Sequence, residues 1–144
     1  MNLTYAKKPN PETGGMKLPD RYNEYVIKVD GEIVGSIKWT YYPKNAGGSA
    51  WTANFKIDQD GFANYTVINK DFKKLLLELR PRIESVVADW EKNGPAVIAR
   101  RARVRAEIAD LMATGLSQAA AERKWQELES IRIYAEIDAA EIAQ

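Results

Sequence analysis

The chain has 144 residues, with 21 Lys+Arg against 20 Asp+Glu and neither cysteine nor histidine. Disulfides, thiolate nucleophiles, Cys-ligated zinc, Ser-His-Asp triads and imidazole metal sites are therefore excluded. At 45% hydrophobic and 10% aromatic residues it can bury a core, and its length fits one small domain with an appendage.

The N-terminal segment, residues 1–22, carries Pro9, Pro11, Pro19 and Gly14-Gly15. It reads as an extended arm, because proline removes a donor and fixes φ. From Glu24 the apolar period becomes two, with Tyr25, Ile27 and Val29 in alternation, and Asp30-Gly31 predicts a tight hairpin turn. The next strand places Ile33, Ile37, Trp39 and Tyr41 on one face, leaving Tyr42 exposed beside Lys44 as a candidate for base stacking. After a loop at residues 43–49, Trp51, Ala53, Phe55 and Ile57 alternate in a third strand. Asp60-Gly61 turns the chain into a fourth, with Ala63, Tyr65 and Val67. Local turns favour an antiparallel four-stranded meander, apolar on one face.

The period then switches to 3.6. Phe72, Leu75, Leu76, Leu79, Ile83, Val86, Val87 and Trp90 form a broad stripe on a helix that would cover the sheet. Asn69 reads as its N-cap and Pro81 as the site of a kink. Gly94-Pro95 reads as a stop followed by a start. A second helix then runs to about Ala113, and Ser117 caps a third. These two fold back as a hairpin along Val97, Val104, Ile108 and Leu111 on one helix and Trp125, Leu128, Ile131 and Ile137 on the other. The fold class is α+β: arm 1–22, sheet and covering helix 23–93, helical hairpin 94–144.

The near-zero charge hides a segregation. Residues 70–105 hold 10 basic and 5 acidic side chains, and residues 106–144 hold 3 basic and 8 acidic. Arg100, Arg101, Arg103 and Arg105 spread round their helix and face the level of Glu122, Glu127 and Glu129 across the hairpin. They read as ion pairs that select register, as a surface for an acidic protein or as phosphate contacts.

No pair of carboxylates and no Lys or Tyr base is singled out by spacing, so the chain is expected to be no enzyme and to need no cofactor or metal. No run is long and apolar enough for a membrane helix and no signal peptide is visible, so a cytoplasmic protein is expected. Gly35 to Leu79, three strands and a helix, loosely resembles the arm-type DNA-binding domains of phage integrases, but the basic cluster expected on the exposed strand face is lacking. In size and composition the chain resembles the small accessory proteins of bacteriophages and mobile elements. That resemblance implies action by binding and blocking a host protein. The expectation is a non-catalytic protein-binding module, an inhibitor or adaptor, working through its C-terminal helices. Its partner-binding residues would be Arg100, Arg101, Arg103, Arg105, Trp125, Glu127 and Glu129. A second copy of the chain is a plausible partner, and nucleic acid on Arg100–Arg105 is the alternative.

Overall fold

The structure is a computed structural model that describes residues 1–8 and 20–143. The chain forms two compact units, Met1–Gly94 and Pro95–Gln144. The first is a five-stranded antiparallel sheet in sequence order: β1 (Leu3–Lys8), β2 (Glu24–Val29), β3 (Glu32–Thr40), β4 (Ala50–Phe55) and β5 (Tyr65–Asn69). Helix α1 (Phe72–Ala113) follows and extends into the second unit, where α2 (Gln118–Ile142) completes the fold.

The sheet has one strand more than the sequence reading expects. Leu3–Lys8, assigned to the extended arm, is β1 and pairs with all of β2, from Leu3 opposite Val29 to Lys8 opposite Glu24. Its alternation is real but short: Leu3 is buried and Tyr5 packs against the core, while Thr4 and Lys8 are exposed. Only two apolar positions mark it, too few to stand out against the prolines that follow. The remainder of the arm up to Pro19 lies outside the described residues.

Cross-strand rows carry the core. One runs Tyr5, Ile27, Gly35, Phe55, Tyr65, and the next runs Tyr25, Ile37, Ala53, Val67. Asp30 and Gly31 both take positive φ (50° and 83°), as the tight β2–β3 turn requires. A bulge then shifts the register between Ile27 and Lys28. The extra residue turns Val34 onto the core and leaves Ile33 exposed, which reverses the side expected for Ile33. At Gly35 a Cβ would meet the Asn54 carbonyl oxygen and stand 2.7 Å from the Phe55 Cα, so β3 and β4 approach closely only because no side chain intervenes.

The stripe on α1 covers this face. Leu75, Leu79 and Ile83 are fully buried, and Phe72 packs on Tyr25 (4.7 Å between ring centroids) and Trp51 (4.9 Å). The cap sits two residues later than expected. Asp71 Oδ1 accepts the Lys74 N–H at 3.0 Å, and Asn69 Oδ1 instead accepts the Asp71 N–H. Asn69 thus closes the turn that leads into the helix, and its amide reaches Glu78.

The expected stop at Gly94-Pro95 is absent. One helix of 42 residues runs through Pro81, Gly94 and Pro95. Each proline costs about 3 kcal/mol in a helix interior. Around Pro81, burying Leu75, Leu79 and Ile83 contributes roughly 2 kcal/mol each, which outweighs that cost. Gly94 has no positive φ and does not end the helix. It is buried against the Trp90 indole, 2.8 Å from where its Cβ would stand, so its small size serves packing. Beyond Pro95 the chain is rich in Ala and Arg, both good helix formers. The helix ends at Ala113, where Gly115 takes φ 103° and the Ser117 side chain accepts the Ala120 N–H to start α2.

Candidate protein-binding surface

In the second unit, residues 95–113 of α1 and α2 lie antiparallel about a polar seam. The Trp125 indole Nε1 donates to Glu107 Oε2 at 2.7 Å. Arg132 reaches Glu107 at 3.6 Å and Glu129 at 3.1 Å, and Arg103 reaches Glu129 at 3.7 Å. The register is set by these pairs: position 107 lies level with 125, and 103 with 129. The indole N–H, helped by Arg132 and Arg103 and opposed by partial desolvation, holds the Glu107 carboxyl below its ordinary value.

The apolar seam expected on α2 is not the one that forms. Val97, Val104, Ile108 and Leu111 are half-buried on α1, as is Trp125 on α2. Leu128, Ile131 and Ile137, however, face outward. The inner face of α2 is Ala121, Trp125, Glu129 and Arg132, at steps of four, four and three. Ala121 is fully buried and the Glu129 side chain is only 15% exposed, whereas Ile131 is 66% exposed. Once Trp125 points inward, helical phase carries Glu129 in with it and turns Ile131 away.

On α2 the hairpin therefore encloses Glu129 beside Trp125 and leaves the other large apolar side chains outside, while Val97, Val104, Ile108 and Leu111 of α1 stay half-buried in the seam. Ile98, Met112 and Leu116 are exposed, and so are Leu128, Ile131, Ile133, Tyr134, Ile137 and Ile142. On α2 they are spread round most of the circumference, interspersed with exposed charges such as Glu127, Glu136 and Asp138.

The arginine cluster is divided. Arg103 is in the seam, Arg101 is half-buried and has an interaction of its own, and Arg100 and Arg105 are exposed. Glu127 is exposed, and Glu122 accepts from Gln118. Tyr42 does not stand free for stacking. It is half-buried, with its hydroxyl 3.3 Å from that of Thr52, while Tyr41 is the exposed one, 6.5 Å from Tyr22. Strand β3 ends at Thr40, so the alternation that would have put Tyr41 on the core face stops before reaching it.

The sheet face opposite α1 is largely polar, with Val26, Ile33, Ala50 and Ile68 among its polar residues. Strand alternation places Lys8, Lys28 and Lys38 there with Thr4, Ser36, Asn54 and Thr66, around the buried Val26 and Ala50 and against one carboxylate, Glu24. The basic cluster missing from Gly35–Leu79 is thus partly supplied by β1 and β2. A cavity of about 300 Å³ lies among Tyr42, Gly47, Gly48, Ile68 and Lys70. It is not a phosphate cradle, because the Gly47 and Gly48 N–H groups already donate to the Lys44 and Pro43 carbonyls. Among the described residues no acidic cluster could hold a metal ion, and no helix is long and apolar enough to cross a membrane.

No family model, curated protein or solved structure matches this chain.

Proposed function

We propose that the chain is a non-catalytic protein-binding module acting through its C-terminal helices. The observation that carries this is the inversion of α2, which encloses Glu129 while Ile131, Tyr134 and Ile142 face solvent. A lone helical pair gains stability by burying apolar side chains, not by exposing them. The partner is a protein that presents apolar side chains among charges of both signs. The full chain should retain it from a host extract, and Ile131→Glu with Ile137→Glu should release it. Undiminished retention by that variant, with loss on Lys38→Glu, would refute the reading.

A second reading is a polyanion, favoured by Lys8, Lys28 and Lys38 on the sheet face opposite α1 rather than by Arg100–Arg105. It predicts a DNA mobility shift that weakens steeply with salt and is lost when Lys28 and Lys38 become Glu.

A further inference from the structure

Along α2, Leu128, Ile131, Ala135, Ala139 and Ile142 follow steps of three, four, four and three. Those steps hold all five within one side of the helix. The spacing also reads the same in either direction, with Ala135 at its centre. Leu128, Ile131 and Ile142 are exposed, with Ile142 at 86%, and both alanines are exposed too. A two-fold interface puts the same patch of both copies in contact, so a palindromic stripe matches itself in an antiparallel arrangement. Leu128 then meets Ile142 of the other copy, Ile131 meets Ala139, and Ala135 meets Ala135. The small central residues permit close helix approach, and the larger ones fill the ends.

Charge agrees with this alignment. From residue 133 onward α2 carries Glu136, Asp138 and Glu141 and no basic residue. Laid antiparallel on a second α2, these carboxylates pass the level of residues 129–134. Within each hairpin that level lies beside Arg103 and Arg100, and Arg132 falls within it. That level also holds Glu129, which Arg103 and Arg132 already meet, so the stretch along each acidic end is net basic, with Arg100, Arg103 and Arg132 against one carboxylate.

We infer that the partner is a second copy of this chain, joined through an antiparallel α2–α2 contact centred on Ala135 that makes a four-helix assembly of two hairpins. This rests on the protein-binding reading and names its partner. The stripe is only about 21 Å long, so the contact belongs to the small class of interfaces and should dissociate on the order of 10 μM.

Sedimentation velocity of the full chain up to roughly 200 μM should show a reversible dimer, and Ile131→Glu should weaken it at least about a hundredfold. Ile131 is exposed, so the variant keeps its helical circular dichroism. The chain has no native cysteine, so single cysteines report the geometry directly. Ala135→Cys should form a disulfide-linked dimer on mild oxidation much faster than Tyr134→Cys or Ile137→Cys, which lie off the stripe. A chain that stays monomeric throughout overturns the inference, and so does a dimer that Ile131→Glu leaves intact or that links no faster through position 135. A monomer that still holds a different protein, released by the Ile131→Glu, Ile137→Glu variant, refutes the second copy alone. A monomer that holds none refutes the protein-binding reading as well.

Discussion

Gly35→Ala tests whether the β3–β4 approach depends on a missing side chain. An added Cβ would stand 2.7 Å from the Phe55 Cα and 2.8 Å from its Cβ, and would press on the Asn54 carbonyl oxygen. All three neighbours belong to β4, which is paired on both edges, so none can swing aside as a flexible side chain would. Relief requires the strands to part by about 1 Å, which weakens the ladder between Gly35–Phe55 and Ile37–Ala53 and loosens the fully buried Phe55 and Ile37. Overpacking of this kind costs about 3 kcal/mol or more. The unit spans residues 1–94, so its unfolding entropy of about 0.2 kcal/mol/K converts that cost into a midpoint drop of about 15 °C. Thermal unfolding followed by tryptophan fluorescence reads it, since Trp39 and Trp51 lie on the same sheet face. Gly31→Ala is the control. Nothing lies within 4 Å of its would-be Cβ, and only the positive φ is strained, at about 1 kcal/mol. A Gly35→Ala midpoint within a few degrees of wild type, or a larger loss at Gly31, would refute the reasoning.

Asp71→Ala removes the acceptor for the Lys74 N–H and should cost about 1 kcal/mol in chemical denaturation, while Asn69→Ala should act through the preceding turn. Pro95→Ala should stabilise the chain by up to about 3 kcal/mol, because the proline sits inside a continuous helix; a helix that really stopped at Gly94 would show no gain. Glu107 has a folded-state pKa below its ordinary 4.5, held there first by the Trp125 indole and then by Arg132 and Arg103. Its contribution is therefore present above that ordinary value and is lost as pH falls through the folded one. Glu107→Gln should flatten the acid limb of the stability profile, and an unchanged limb would show that the pair is open in solution. Trp125→Phe keeps most of the apolar surface but removes the donor to Glu107, so it should cost about 1 kcal/mol and give a similar flattening.

The elements were largely legible in the sequence, because each rests on a local period. Ile27 and Ile37 on strands and Leu75, Leu79 and Ile83 on a helix are buried as alternation and 3.6-residue spacing demand. Asp30-Gly31 and Ser117 act locally as well, through positive φ and a side-chain cap. What escaped depended on partners distant in the chain. β1 is too short to declare itself and exists because β2 offers a free edge. The bulge that exposes Ile33 is a property of strand pairing. Gly94 is the local exception: it reads as a stop until Trp90, one turn earlier on the same helix, is seen against it.

The candidate surface shows the division most clearly. The sequence by itself determined the apolar and charged residues of the last helix, their 3.6-residue phase and the acidic end at Glu136, Asp138 and Glu141. Only the tertiary structure decided which side of that helix faces α1. Spacing alone allows either Trp125 with Leu128 or Trp125 with Glu129 to point inward, since both neighbour Trp125 on the helix surface. The indole donating to Glu107, together with Arg103 and Arg132 on Glu129, selects the second. The physical reason is that hydrophobic burial has no direction, whereas a hydrogen bond and a set of ion pairs fix a rotation. That rotation leaves Leu128, Ile131 and Ile142 exposed on the outer side of the hairpin.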